Sequence, residues 1–486
     1  LTKKLFIKKS IHDLRDSVSG KKGGLQRSLS AFNLTTLGIG VIVGAGVFVI
    51  GGQAAEQFAG PSVIFSFILA AIVAAFAALC YAEFASLIPI AGGPYSYAYA
   101  TLGEFAAWTI GWCLSLEYLF AAATISVGWS GYLSSFLNDF GLALPAAVSQ
   151  SALSYDAATG WAKTGAVCNL PAMVIMASMG LLVAFGIKAA NRFNNIMVVT
   201  KMTVIILFIA CGIAFINTKN WVPFVPVNTG TFGSFGWSGI FRGAGVVFFG
   251  YLGFDALATL AQESRNPQRD VPVGMIGSLS IAAIIYILMT MVLTGTLSYK
   301  LLGGPAPFSD AINAFGPNFV WLRYVAKIGI LVGLTSGVMV TLMAQTRIFY
   351  TISHDGLLPK VFGKVHRKFH TPFFTTLLLT AAGIVLCGIF PATTLGLIVV
   401  IGTLLAFAIV CFGVLVLRYR QPSLHRPFKV PLFPWIPLIG MMVCIMQMVV
   451  LPATIWLQLL IWIAVGYLIY FGYGIRHSKI RKEHQK

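Results

Sequence analysis

Charged residues are scarce in this 486-residue chain. Asp, Glu, Lys and Arg make up 10% of it, against about 25% in an ordinary soluble domain. No two of the seven cysteines form a CxxC pair, and all but Cys168 lie inside apolar runs. That argues against a zinc site or a disulfide framework. The seven histidines sit at the chain ends or in basic linkers, so imidazole ligands for haem or zinc are missing from the apolar core. No GxxxxGK[ST] sequence occurs, so ATP is not a direct energy source. These shortages exclude a soluble enzyme, a disordered chain and a disulfide scaffold, and leave a membrane-embedded enzyme as the alternative of a different class.

What is present is apolar surface. Hydrophobic residues make up 58% of the chain, which points to a protein crossing the membrane many times. The net charge of +19 would suggest nucleic acid in a soluble protein. Here the basic residues fall in short segments between apolar runs, so membrane topology explains them and no nucleic-acid partner is expected. Residues 1–30 are basic with no apolar h-region, and read as a cytoplasmic leader rather than a signal peptide.

A spanning helix needs about 20 apolar residues. No charge occurs from Leu34 to Ala55, and a turn at Gly60-Pro61 precedes the second run. Further spans are expected near 105–126, 170–187, 195–217, 239–262, 273–298 and 322–350. Residues 369–417 and 430–475 carry no Asp, Glu, Lys or Arg, and each is too long for one span. Phe390-Pro391 and Leu451-Pro452 divide them. Twelve spans result, with both ends of the chain on one side. Most Lys and Arg fall in the segments on that side, whereas the opposite loops hold Lys163, Lys219 and Lys300. The positive-inside rule then makes both termini cytoplasmic. Residues 127–169 are expected to form an outer cap.

Two spans are interrupted by glycine. The first reads Gly38-Ile39-Gly40 and then Gly44-Ala45-Gly46; the sixth reads Phe249-Gly250-Tyr251-Leu252-Gly253-Phe254-Asp255. They are five spans apart, and an odd number of spans inverts the second unit relative to the first. Paired interruptions of this kind point to the binding site of a secondary transporter. The chain divides accordingly into 1–30, a first repeat 31–217, a second repeat 218–417, and 418–486 with the last two spans and a tail. Unwound backbone can survive in a membrane only where it faces protein or a wet cavity. There it offers N–H groups to a carboxylate and carbonyls to an ammonium.

Taken with Tyr81-Ala82-Glu83-Phe84, Pro89 through Tyr97, Glu263-Ser264-Arg265-Asn266-Pro267 and His354-Asp355-Gly356-Leu357-Leu358-Pro359, these segments resemble the amino acid–polyamine–organocation superfamily, in its cationic amino acid transporter family, bacterial form. The resemblance implies an all-α polytopic membrane protein with a LeuT-type five-plus-five inverted repeat and 12 transmembrane helices. It implies that Gly44, Ala45 and Gly46 bind a substrate carboxylate. Carbonyls at Ile42, Phe249, Gly250 and Leu252 would take the amine, and Phe249 would close over the substrate. It places Met339 on span 8 at a specificity position, where an apolar, bulky side chain would favour small neutral amino acids such as alanine.

Ionisable groups inside spans are functional candidates. Lys201 in span 5 is expected to couple protons to transport, since in proton-coupled relatives a lysine at this spacing stands where sodium-coupled members bind an ion. Snorkelling to the interface is the plainer reading. Glu117 and Asp255 are candidates for gating or proton relay, or for structural carboxyls. Glu117 could also sense a cationic side chain. Glu83 and Glu263 are expected to pair with loop arginines, and Arg242, Arg323 and Lys327 to snorkel. The expected function is proton-driven import of a small neutral amino acid across the plasma membrane, in contact with lipid. No metal or cofactor is expected. Cationic substrates and exchange stay open, as does an accessory subunit.

Overall fold

The computed structural model describes residues 7–9, 29–44, 46–90, 92–156, 160–185, 187–259, 261, 264–304, 306–367, 369 and 371–483. Most of the basic leader, Ala45 and Glu263 lie outside the described residues.

The fold is helical. α1 (Ala31–Ile42) starts at Ser30, whose hydroxyl accepts the Asn33 N–H at 3.3 Å. After an interruption the first span resumes as a π-turn over Gly46–Ile50 and runs to Ala59. Gly60, at φ +61°, and Pro61 then turn the chain into α2 (Val63–Leu87). A short helix, α3 (Gly93–Thr101), leads to α4 (Glu104–Asn138). α4 runs well past the expected end near 126. The expected cap reduces to the segment beyond it, where β1 (Leu153–Asp156) pairs antiparallel with β2 (Gly160–Lys163), Leu153 opposite Lys163.

The chain continues through α5 (Leu170–Phe185), α6 (Ile187–Gly212), α7 (Gly236–Val247), the short α8 (Ala256–Thr259) and α9 (Pro267–Thr296). Then come the loop helix α10 (Pro307–Asn313), α11 (Val320–His354), α12 (Phe373–Ile389), α13 (Ala392–Arg420), α14 (Trp435–Val450) and α15 (Ala453–Ile469). α12 stops before Phe390-Pro391 and α14 before Leu451-Pro452, because proline lacks the N–H that would continue the ladder. Eight helical stretches among the described residues are long and apolar enough to cross a membrane; the first, Ala31–Leu87, contains both α1 and α2. α5, α12 and α14 are apolar but shorter.

α4 packs along α11 and α13, while α9 packs along α1 and α2. Acids pin the two ends of this bundle. At the end carrying both termini, Glu104 is fully buried. It accepts hydrogen bonds from Tyr99 (2.9 Å), Tyr470 (2.8 Å), the Ser478 hydroxyl and Arg481 Nε (2.6 Å). Asp355 there takes Lys9 Nζ at 2.5 Å and the Tyr95 hydroxyl at 2.7 Å. Glu83 pairs with Arg418 and Arg426, as expected of an acid at a helix end. At the opposite end Lys327 does not snorkel. Its side chain is 2% exposed and its Nζ lies 2.6 Å from Asp139. A partner at the end of α4 satisfies the ammonium better than a reach to the surface. In α10, burial raises the Asp310 carboxyl above the usual carboxylate range, and the nearby Lys327 charge partly offsets this.

The Glu104–Arg481 pair is a strong constraint because removing one member leaves a buried charge unmatched. Arg481→Ala is expected to destabilise the fold by about 3–5 kcal/mol. Thermal unfolding of detergent-solubilised protein will show this as a fall in Tm of several degrees. The double variant Glu104→Gln/Arg481→Gln should regain part of the loss.

Candidate functional site

The first interruption begins where α1 ends. Val43 leaves helical geometry (φ −75°, ψ 102°) with its N–H still bound to the Ile39 carbonyl at 3.0 Å. When the span resumes, Val47 and Phe48 N–H groups both reach the Gly44 carbonyl at 3.3 Å. The second interruption begins in a 3-10 turn at Phe248–Tyr251, passes through extended Leu252 and Gly253 at φ +110°, and ends at α8. At Gly253 only glycine adopts this backbone without strain.

The two interruptions touch. A Cβ on Gly46 would stand 2.1 Å from the Gly250 Cα, so the two main chains meet with no room for a side chain. At Gly44 an added Cβ would meet nothing within 4 Å. That open space belongs to a cavity whose walls include Ile42, Gly44 and Gly46 from the first interruption and Phe249, Leu252 and Gly253 from the second. α4 contributes Glu117, Tyr118, Ala121 and Ile125, and α11 contributes Val340, Thr341 and Ala344.

Carbonyls freed by the interruptions have partners. Lys201 of α6 is 1% exposed. Its ammonium donates to the Gly40 carbonyl and, at 2.8 Å, to the Val43 carbonyl. Its stem packs against Gly333 of α11, where a Cβ would approach Lys201 Cβ to 2.9 Å. The Tyr286 phenol of α9, fully buried, lies 2.8 Å from the Ile42 carbonyl and 2.7 Å from the Gly250 carbonyl. One hydroxyl proton serves both, so a carbonyl lone pair is left over for a ligand.

The buried acids lie side by side but differ in role. Asp255 accepts the Tyr118 hydroxyl at 2.7 Å on Oδ2, and it is not among the cavity-lining residues. Glu117 lines the cavity, and its Oε2 has no partner among the described residues. No group of three or more His, Cys, Asp or Glu among the described residues is placed to hold a metal ion.

Of the residues singled out from the sequence, the structure brings Ile42, Gly44, Gly46, Phe249, Leu252 and Glu117 to one cavity. Gly250 lies behind it, against Gly46. Lys201 acts on the end of α1 from outside the cavity wall. Met339 is a correction. It is buried in a separate apolar cluster with Val183 of α5, flanked by Met179 and Met343. One residue along a helix turns a side chain by about 100°, and the cavity face of α11 is set by Val340, Thr341 and Ala344. Sequence reasoning missed those three and Tyr286. The one available signal was a tyrosine in an otherwise apolar span, since a buried phenol needs a partner.

Comparison with known proteins agrees with this geometry. A family model described as amino acid permease matches residues 29–472. The chain belongs to the amino acid permease family. The permease is 43% identical over 480 residues to a methylthioribose transporter of Bacillus subtilis, covering 98% of this chain and 99% of that one. Over the same length and coverage it is 41% identical to the branched-chain amino acid permease BcaP of that organism. It is 34% identical over 399 residues to the vacuolar cationic amino acid transporter 4 of Arabidopsis thaliana, covering 82% of this chain and 64% of the relative. These are names of transporters rather than of enzymes.

Gly46→Ala is the sharpest test of the paired interruptions, because a methyl group there would overlap Gly250 main chain. The variant is expected to lose at least ten-fold in amino acid affinity, read as the ligand-induced shift in Tm. Gly44→Ala, with open space around its Cβ, should keep its fold and lose less.

Proposed function

We propose that this permease imports neutral aliphatic L-amino acids by proton symport. The reading includes alternating access across the plasma membrane, both termini in the cytoplasm, and twelve spans in a LeuT-type five-plus-five inverted repeat. The observation that carries it is the cavity between two interrupted helices, with main chain on one side and, on the other, walls from α4 and α11 in which Ala121, Ile125, Val340 and Ala344 are aliphatic. Main-chain groups suit the α-carboxylate and α-ammonium common to all amino acids. The apolar walls suit an aliphatic side chain.

Because Met339 lies elsewhere, the bulk that would have restricted the site to alanine is absent. Ala121 and Ala344 put small side chains in the cavity wall, which favours extending the range to branched side chains. One relative is named for such substrates. Cationic substrates are the rival class, since several plant relatives are cationic amino acid transporters; a lysine side chain would find one free carboxyl oxygen among apolar walls.

Lys201 supplies the coupling step in this reading. Protonated, it ties the Gly40 and Val43 carbonyls and so holds the end of α1. Deprotonation removes the charge from those hydrogen bonds and loosens that end, letting α1 swing. A charged donor makes the stronger bond, so the two protonation states favour different positions of the helix.

Uptake into proteoliposomes with an imposed pH gradient tests the whole reading. L-leucine, L-valine or L-alanine should accumulate without substrate inside, whereas L-arginine accumulation or strict exchange would contradict it. Lys201→Ala should abolish gradient-driven accumulation, by at least ten-fold, while leaving a folded protein with a measurable ligand-induced Tm shift. Ala344→Phe should suppress leucine uptake more than alanine uptake.

A further inference from the structure

Glu117 is the one carboxyl among the cavity-lining residues. It is 2% exposed. Oε2 is nevertheless left without a partner among the described residues. An acceptor buried without a donor is costly, more so if charged. The neighbouring Asp255 takes Tyr118 on its Oδ2 and also has an unpartnered Oδ1 among the described residues, but it does not line the cavity. Thr341, the other polar side chain α11 brings to the cavity, already donates to the Gly337 and Val338 carbonyls, so Glu117 Oε2 is the unpartnered side-chain oxygen on the cavity wall among the described residues.

The number of open acceptors limits what can bind there. A lysine ammonium brings three donors and an arginine guanidinium five. One free oxygen cannot satisfy either. A single hydroxyl brings one donor and matches it. Beyond Glu117 the α4 face continues with Ala121 and Ile125, opposite Val340 and Ala344, so the remainder of such a ligand would be aliphatic.

We propose that Glu117 is a specificity-determining residue that accepts a hydrogen bond from a hydroxyl on an otherwise aliphatic ligand, so the cavity admits hydroxylated ligands beside purely aliphatic ones. This rests on the amino acid reading above and extends it to hydroxyl-bearing amino acids. A hydroxylated thioether sugar, the class for which one relative is named, would place one of its hydroxyls on Glu117 and need the freed main-chain carbonyls for its others.

L-Threonine and L-valine are the discriminating probes, because they differ by a hydroxyl in place of a methyl. A purely apolar site binds valine and rejects threonine, whereas a site with a waiting acceptor does not. Affinities for both, and for 5-methylthioribose, are to be measured by calorimetry on the purified full-length permease. The wild type should bind threonine within about three-fold of valine. Glu117→Leu should lower the threonine-to-valine affinity ratio about ten-fold while changing valine affinity less than three-fold. Glu117→Gln keeps an oxygen acceptor, and Asp255→Asn leaves Glu117 in place, so both should preserve the ratio.

A ratio unchanged in Glu117→Leu would overturn the proposal. If that variant fails to fold, wild-type protein alone decides: valine bound more than about ten-fold tighter than threonine, or lysine bound tighter than either, also overturns it. Binding of methylthioribose that Glu117→Leu abolishes, with neither amino acid bound, would support the hydroxyl acceptor while refuting the amino acid reading. No binding of any probe would refute both.

Discussion

In hydrocarbon, every main-chain N–H and C=O must find a partner within the protein, and this requirement governs the centre of the permease. Two helices stop part-way, which frees carbonyls at Gly40, Ile42, Val43 and Gly250. Two polar side chains from other helices take them: the Lys201 ammonium on one side and the Tyr286 hydroxyl on the other. The interruption is therefore a supported structure, held by charge-assisted and neutral hydrogen bonds in a low-dielectric interior where such bonds are strong. Its supports differ in kind. A charged ammonium holds two carbonyls at the end of α1, while a phenol between two carbonyls keeps the two interruptions together.

The rest of the bundle frames that centre. α4 and α11 pack along each other and provide the wall facing the interruptions. At one end Asp139 after α4 pairs with Lys327 of α11, and at the other Glu104 ties α4 to Arg481 of the C-terminal tail. Chain ends of most domains are loosely held. Here Ser478 and Arg481 are buried against Glu104, and Lys9 is paired with Asp355. The wall is thus tied to neighbouring elements at both ends, while α1 is held at its broken end by the Lys201 ammonium.

Much of this was legible beforehand. The apolar runs, the Pro-marked ends at Phe390-Pro391 and Leu451-Pro452, and the glycine interruptions follow from local chemistry that depends on neighbouring residues only. Lys201 stood out because a lysine within an apolar run is rare. Glu83 was rightly expected to meet an arginine. Met339 and Lys327 were misplaced for a common reason: which way a side chain points, and whom it meets, depends on helix rotation and on residues far away in sequence. α4 also extended beyond its expected end, because packing on α11 and the Asp139–Lys327 pair stabilise turns that hydropathy alone would leave as loop.

The amino-acid order by itself determined that this chain crosses the membrane, where its helices break, and that main-chain groups are freed at two points. Those properties come from solvent transfer, from the missing N–H of proline and from the missing Cβ of glycine, all of which act within a few residues. Tertiary packing alone decided that Gly46 meets Gly250, that Tyr286 joins the two interruptions, and that Val340, Thr341 and Ala344 rather than Met339 face the cavity. Such pairings set residues up to 244 positions apart within hydrogen-bond distance, and only the rotation and docking of whole helices brings them there.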